Sequence, residues 1–136
     1  MEQQTPRPSD DVWRWQAESA RSADASARAA CSWVPPVEEE LVRAAEASAL
    51  RRWYPSVSHT CLRFADGPAP WQAGGQGDVR ELPGWISFAR EDPAGAAVFR
   101  VWSGRPFGAA GPELVLTTPR AAAAVEALVR LLAAEG

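Results

Sequence analysis

The fold depends on the stretch RRWYPSVSHTCLRFA (residues 51–65), in which a helical pattern gives way to a strand pattern. Pro55 cannot continue a helix, and the residues after it alternate between apolar and polar types, as in a strand with one buried face. The stretch therefore predicts a helix that ends near Tyr54 and a strand that enters a sheet. The two predicted strand faces are Thr60, Leu62 and Phe64 on one side, and His59, Cys61 and Arg63 on the other.

Two helices are predicted before this stretch. The first covers residues 11–31, is rich in alanine, and carries its arginines at a seven-residue spacing that places them on one stripe; Ser9 or Asp10 suits its N-cap. The second starts at Pro36, a favoured first-turn residue, and continues to about Tyr54. Its apolar residues recur at helical spacing. They are Val37, Leu41, Val42, Ala45, Ala49 and Trp53.

Three further strands are predicted at 85–90, 97–102 and 113–117, with short loops that suit antiparallel neighbours. Thr118 and Pro119 then begin a last helix. The predicted class is α+β, in the order α-α-β-β-β-β-α, with helices packed over one face of a four-stranded antiparallel sheet. The expected organisation is a disordered lead-in (1–10) and a single domain (11–136) containing a long loop rich in glycine and proline (66–83).

Composition excludes several classes of function. The chain has 136 residues and a net charge of −3, whereas a nucleic-acid binder needs a concentrated basic face. No apolar run is long enough to span a membrane, and the first residues lack the apolar core of a signal peptide. Two isolated cysteines, Cys31 and Cys61, favour reduced thiols in the cytoplasm. All fourteen basic residues are arginine, a bias typical of a GC-rich genome, so arginine by itself indicates no particular site.

Few residues offer catalytic chemistry. His59 is the only histidine, and a histidine can act as an acid or base near neutral pH. On the predicted strand Arg63 shares its face and could stabilise an anion. Cys61 lies two positions away, too far for a ready thiol–imidazole hydrogen bond. One histidine and two isolated cysteines do not make a zinc site, and no motif indicates a cofactor.

The tryptophans are more informative, because the chain has seven of them against a single tyrosine. Trp53 and Trp85 fit predicted core faces. Trp13 and Trp15 lie two positions apart on a helix and cannot share one face, so at least one should meet solvent or a partner. Exposed tryptophan is enriched where proteins bind ligands, although core packing or loop anchoring is an equal alternative for each. The predicted binding residues are Trp53, Tyr54, Trp71 and Trp102.

The segment AEASALRRWYPSVSHTCLRF (residues 45–64) resembles an uncharacterised actinobacterial family labelled natural product biosynthesis protein. An alanine-rich helix, an aromatic-Pro turn, Ser-His and Leu-x-Phe make up the shared pattern. The matching residues are Leu50, Tyr54, Pro55, Ser58, His59, Leu62 and Phe64. A looser likeness covers 97–132, through the strand of Val98, Phe99, Arg100 and Val101, whereas DGPAPWQAGGQGDV (66–79) departs from the family. The resemblance implies a cytoplasmic protein encoded in a biosynthetic gene cluster, with no known reaction.

Three functions remain open at this point. The first is an accessory binding protein of a specialised-metabolite pathway that engages a peptide, a carrier or a partner enzyme. The second is a small enzyme of cyclase or isomerase type in which His59 is the acid/base and Arg63 its anion-stabilising neighbour. The third is an immunity or self-resistance protein. For His59 a structural role, closing the corner between helix and strand through backbone hydrogen bonds, is favoured over catalysis. Uncovered sheet edges also allow a homodimer.

Overall fold

The structure, a computed structural model, describes residues 10–30, 37–67, 80–89, 98–104 and 111–135. Residues 1–9 of the predicted lead-in (1–10), Cys31 and most of the predicted loop, including Trp71, lie outside these residues; Asp10, the last residue of that lead-in, begins α1. The elements in chain order are α1 (Asp10–Ala30), α2 (Val37–Glu46), a 3₁₀ helix (Ala49–Arg52), β1 (Tyr54–Ser58), β2 (Cys61–Ala65), β3 (Glu81–Ala89), β4 (Val98–Ser103), β5 (Glu113–Thr118) and α3 (Ala121–Glu135).

The α+β class and the antiparallel sheet are confirmed, but the sheet has five strands rather than four. Its strands follow chain order, β1-β2-β3-β4-β5, and each pairs antiparallel with the next. The extra strand is β1, which occupies the segment predicted as the end of a helix and the turn after it. Pro55 lies inside β1, an allowed place because β1 is an edge strand and needs no ladder bond on its outer side.

The prediction of a single strand through His59 is wrong. His59 and Thr60 form the two-residue turn of a hairpin between β1 and β2, with Ser58 paired to Cys61 across it. Both turn residues have positive φ, 52° and 61°, the combination of a type I′ turn. His59 and Thr60 are therefore exposed at the hairpin tip and belong to neither strand face. The backbone carbonyl of Thr60 accepts a hydrogen bond of 2.9 Å from the N–H of Phe88, which ties the tip to β3.

The predicted second helix is interrupted. α2 ends at Glu46, and Ser48 then caps the 3₁₀ helix by accepting a hydrogen bond from the N–H of Leu50 at 3.0 Å. Trp53 has extended backbone angles and leads directly into β1. The apolar face predicted for α2 is buried as far as Ala45, whereas Ala49 is exposed because the chain has left the helix.

One core joins the helices to one face of the sheet, and this part of the prediction is confirmed. Leu62 and Phe64, predicted to share a face, are both buried in it. The sheet also contributes Ile86, Phe88, Phe99 and Val101, and the helices contribute Trp13, Ala17, Ala20, Val37, Leu41, Val42, Ala45, Ala121, Ala124, Val125 and Leu128. Burial of each of the larger apolar side chains stabilises the folded protein by about 1.5–3 kcal/mol.

The alanine-rich α1 is held by two polar anchors as well as by packing. The indole N–H of the fully buried Trp13 donates a 3.0 Å hydrogen bond to the carbonyl of Arg51, and its ring lies 6.3 Å from that of Phe64. Trp15 is 59% exposed, which confirms that the two neighbouring tryptophans do not share a face. The second anchor is the buried carboxylate of Asp24, which accepts from the backbone at the start of α2.

Both ends of the segment predicted as a loop at 66–83 have defined backbone structure. The N–H of Asp66 donates to the carbonyl of Arg80 at 3.0 Å, and the N–H of Arg80 donates to the Asp66 carboxylate at 2.9 Å. These bonds join residues 66 and 80, and residues 81–83 belong to β3.

At the end of β5 the hydroxyl of Thr118 accepts a hydrogen bond from the N–H of Arg120, as predicted for the residue that opens the last helix.

Candidate functional site

The sheet face opposite the helices, called the outer face here, carries a row of unusual side chains. Strand register places Arg63 beside Trp85, Trp85 beside Trp102, and Trp102 beside Leu114. The next row across the same strands contains Cys61, Ser87, Arg100 and Thr117. Side chains two apart on a strand share a face, so the two rows form one surface. The outer-face patch consists of Arg63, Trp85, Ser87, Arg100, Trp102 and Leu114.

Two stacked indoles form the centre of the outer-face patch. The ring centroids of Trp85 and Trp102 lie 6.0 Å apart with planes inclined by 12°. The indole N–H of Trp102 donates a 2.9 Å hydrogen bond to the Ser87 hydroxyl, which fixes the orientation of its ring. Trp85 is only 6% exposed but is not part of the core shared with the helices. Trp102 is half-buried, so it presents part of its ring at the surface.

Two arginines flank the stacked pair, one in each row. Arg63 neighbours Trp85 from β2, and its guanidinium lies 3.7 Å from the carboxylate of Glu81. Arg100 lies on β4 two residues before Trp102 and is half-buried. No salt bridge between described residues involves Arg100. The charge of Arg63 is balanced by the neighbouring Glu81, which leaves one net positive charge at the patch, that of Arg100. Arginine supplies planar, forked donors that suit carboxylate and phosphate groups.

This arrangement offers chemistry suited to binding. A half-exposed indole of fixed orientation offers a flat apolar surface, and a neighbouring guanidinium offers charge and directional hydrogen bonds. The half-buried thiol of Cys61 lies next to the patch, beside Ser87. The chemistry therefore suits a ligand with a planar apolar part and an anionic group.

His59 and Arg63, the predicted catalytic pair, do not share a strand face. His59 is exposed in the hairpin turn, whereas Arg63 lies on β2 in the outer-face patch. The carbonyl of His59 accepts a 2.5 Å hydrogen bond from the Thr60 hydroxyl. No described residue forms a hydrogen bond with its imidazole. The structural role predicted for its imidazole, closing the corner by backbone hydrogen bonds, is likewise not seen between described residues.

The predicted binding residues divide into separate places. Trp102 belongs to the outer-face patch. Tyr54, at the start of β1, and Trp53 are half-buried, and Trp53 packs against the edge of the core with the guanidinium of Arg52 4.7 Å from its ring centroid. Trp71 lies outside the described residues. The structure thus brings together Trp102 and Arg63, one from each predicted set, on either side of Trp85.

Four residues of the patch were missed by the sequence analysis. Trp85 was assigned to the core, and Ser87, Arg100 and Leu114 were not singled out. A usable signal existed in the alternation of β3 and β4, because Trp85 and Ser87 alternate with the core residues Ile86 and Phe88. In β4, Arg100 and Trp102 alternate in the same way with Phe99 and Val101. Strict alternation places all four residues on the outer face.

A groove lies on the helical side of the molecule. It has a volume of about 400 Å³ and is lined by Asp10, Arg14, Ala17, Glu18, Arg21, Arg43, Glu46 and Arg51. Its charges largely neutralise one another: Arg51 pairs with Asp10 and Glu46, and Arg21 and Arg43 both pair with Glu39. The groove is therefore better explained as the ion-paired seam between helices than as a ligand site.

Metal-binding and membrane features were also assessed over the described part of the chain. Those residues contain no group of three or more histidine, cysteine or acidic side chains able to hold a metal ion. Within the same ranges, no helix combines the length and apolar character needed to cross a membrane. Comparison of the chain with known protein families, curated proteins and solved structures found no match.

Proposed function

We propose that this protein is a small accessory binding protein and that it engages its ligand or partner on the outer-face patch. The observation that supports this most directly is the stacked pair of Trp85 and Trp102 with Arg63 and Arg100 beside it. Helices cover the opposite face of the sheet, so the patch is not required to complete the core. Aromatic residues and arginine are the residue types that contribute most to binding energy at interfaces.

The ligand class follows from the chemistry of the patch. Trp102 would stack on a planar apolar group, while Arg100, which has no salt bridge to another described residue, would bind a carboxylate or phosphate. A planar aromatic acid fits both requirements. Such groups occur in small-molecule intermediates and in chains held on carrier proteins, which agrees with an accessory role in cytoplasmic specialised metabolism. That setting rests on the sequence resemblance of residues 45–64.

A titration with a model ligand tests the proposal. We expect 2-naphthoate to quench tryptophan fluorescence and the quenching to saturate as the ligand concentration rises. It should bind at least about tenfold more tightly than neutral 2-naphthylmethanol, because a hydrogen bond to a charged group contributes about 1.5–3 kcal/mol. Trp102→Ala should abolish binding, and Arg100→Gln should remove the preference for the acid. Trp15→Ala, which removes an exposed tryptophan from α1, is the matched control and should bind as the wild type does.

The biosynthetic setting needs a separate test in the producing cell. The gene would be deleted and replaced by the wild type, by Trp102→Ala or by Trp15→Ala, and the metabolite profile measured. Loss of a pathway product in the deletion and in Trp102→Ala, but not in Trp15→Ala, is the expected result. An unchanged profile in the deletion strain would contradict the accessory role, and unchanged naphthoate binding by Trp102→Ala would contradict the site.

A further inference from the structure

The two edges of the sheet differ in how they are protected. β1 contains Pro55, which lacks a backbone N–H, and α1 packs against this strand. β5 has no proline and no basic residue between Glu113 and Thr118, and among the strands that the structure describes it pairs with β4 alone. An edge strand with free backbone groups readily accepts another strand unless such devices prevent it. Within the described part of the chain, the β5 edge is therefore the open one.

β5 also exposes apolar surface. Leu114 and Val115 are each 47% exposed, and with Trp15 they are the large hydrophobic residues that the described part of the chain leaves most open. Apolar side chains on an unprotected edge are typical of a strand that pairs with another chain.

From these observations we propose that two copies of this chain associate through antiparallel pairing of their β5 strands. A two-fold axis relates two identical edges in antiparallel orientation, so the same strand serves on both sides of the interface. The two five-stranded sheets then form one continuous ten-stranded sheet. Because this axis runs perpendicular to the sheet, both outer-face patches lie on the same side of the dimer.

The face pattern of β5 selects the register. A bulge leaves Val115 without a partner on β4, so Glu113 and Thr118 share the helix-bearing face while Leu114 and Thr117 share the outer face. Pairing Glu113 with Thr118 of the second copy, and Leu114 with Thr117, keeps like faces together. No other residue pairing near the centre of the strand achieves this on both sides of the bulge.

Charge complementarity supports the same register. Arg120 lies just after the end of β5, where its N–H bonds to the Thr118 hydroxyl and the chain turns into α3 on the helix-bearing face. Glu113 is on the same face, so pairing Glu113 with Thr118 of the second copy brings Glu113 of each copy towards Arg120 of the other. Both residues are exposed, and neither forms a salt bridge with another residue that the structure describes. The two-fold axis generates this opposite-charge pair twice in one dimer.

Sedimentation equilibrium of the full chain across a concentration series tests the interface. The wild type should approach twice the monomer mass of 14.6 kDa, and Val115→Lys should remain monomeric. Glu113→Arg and Arg120→Glu should each weaken the dimer by about tenfold, because two attractive pairs become repulsive, and the double variant should restore the affinity. Trp15→Glu, which changes the other exposed apolar residue, should leave the dimer unchanged.

Each alternative result would contradict the proposal. A wild type that stays monomeric at all concentrations excludes the dimer, and a dimer that survives Val115→Lys places the interface elsewhere. A double variant no tighter than the single ones excludes the proposed register. Circular dichroism on every variant confirms that the chain is folded. These readouts do not depend on ligand binding, so they are independent of the function proposed for the outer-face patch.

Discussion

The carboxylate of Asp24 on α1 accepts a 2.8 Å hydrogen bond from the backbone N–H of Glu39 on α2. Its second oxygen accepts from the N–H of Glu38 at 3.2 Å. The first N–H groups of a helix have no partner within the helix, so a buried side chain of one helix caps the start of another. The negative charge also lies at the positive end of the α2 dipole.

Removing this cap should cost stability. We expect Asp24→Ala to lower the free energy of unfolding by about 1–2 kcal/mol, the usual effect of losing an N-cap acceptor. Asp24→Asn should lose less, because its amide oxygen still accepts one bond. Urea unfolding measures the change, and Ser22→Ala, at an exposed position on the same helix, is the control. Hydrogen exchange at the amides of Glu38 and Glu39 should accelerate in Asp24→Ala, and unchanged exchange there would contradict the assignment.

Glu39 should make the pairing of α1 and α2 sensitive to acid. The hydrogen bond from Arg43, opposed by burial and assisted by Arg21, holds the pKa of Glu39 below its ordinary value. Because the folded pKa is lower than the unfolded one, this stabilisation is present above the unfolded pKa and is lost as the pH falls through the folded pKa.

Glu39→Gln should therefore lower stability at neutral pH by about 1 kcal/mol or less, since the partner arginines are well exposed. The difference from the wild type should vanish at acid pH. Thermal unfolding over a pH series measures it, with the exposed Glu40→Gln as control in the same helical turn. A constant difference at every pH would show that the ion pairs are not responsible.

Gly84 should resist substitution for a steric reason. A Cβ added to it would lie 2.8 Å from a methyl carbon of Leu128 and 3.3 Å from the carbonyl oxygen of Trp102. Leu128 is fully buried and has little room to move. We expect Gly84→Ala to destabilise the protein by about 1–3 kcal/mol. Adding Leu128→Val should cost less in the Gly84→Ala background than in the wild type, which a double-mutant cycle of urea unfolding measures; simple additivity would contradict the clash.

Much of this fold could be predicted from local patterns of the sequence. The helical spacing of Val37, Leu41, Val42 and Ala45 identified a buried face, and the alternation of Leu62 with Phe64 identified another. These patterns are legible because each element buries one side only. β1 was missed because five residues with a proline in second position offer little alternation, and because its partner strand begins only two residues after it ends.

The hairpin turn and the outer-face patch were not predicted from the sequence, for different reasons. A type I′ turn is usually signalled by Asn-Gly or a similar pair, and His59-Thr60 lacks that signal. The register that aligns Arg63, Trp85 and Trp102 depends on the pairing of strands that are not joined by a two-residue turn, and no local pattern specifies that pairing. Seven tryptophans pointed to a binding surface, but only the sheet register shows which of them stack.

The stacked indoles should be visible spectroscopically and unequal energetically. Trp102→Phe should remove the circular dichroism couplet that two closely stacked indoles produce, whereas Trp15→Phe should not. Trp85→Ala should cost about 3–5 kcal/mol because its ring is almost fully buried. Trp102→Ala, from a half-exposed position, should cost about 1–2 kcal/mol. Equal losses in urea unfolding would contradict the described burial.

The hairpin tip stores backbone strain that can be relieved. His59 and Thr60 both hold positive φ, and the left-handed conformation costs roughly 1–2 kcal/mol for a residue with a Cβ, with β-branched threonine the poorer fit. Asn-Gly is the preferred pair for this turn. The double variant His59→Asn/Thr60→Gly should therefore stabilise the protein by about 1 kcal/mol, measured by urea unfolding, with Ser58→Ala beside the turn as the control.

The same variant separates the structural and catalytic interpretations of His59. If the imidazole has no chemical role, a producing strain that carries the double variant should keep its full metabolite output while the purified protein gains stability. A variant that is stabilised but makes less product would instead support the interpretation of His59 as an acid/base catalyst. Because the asparagine and glycine improve the turn, such a loss could not be attributed to misfolding, which is the ambiguity that His59→Ala alone would leave.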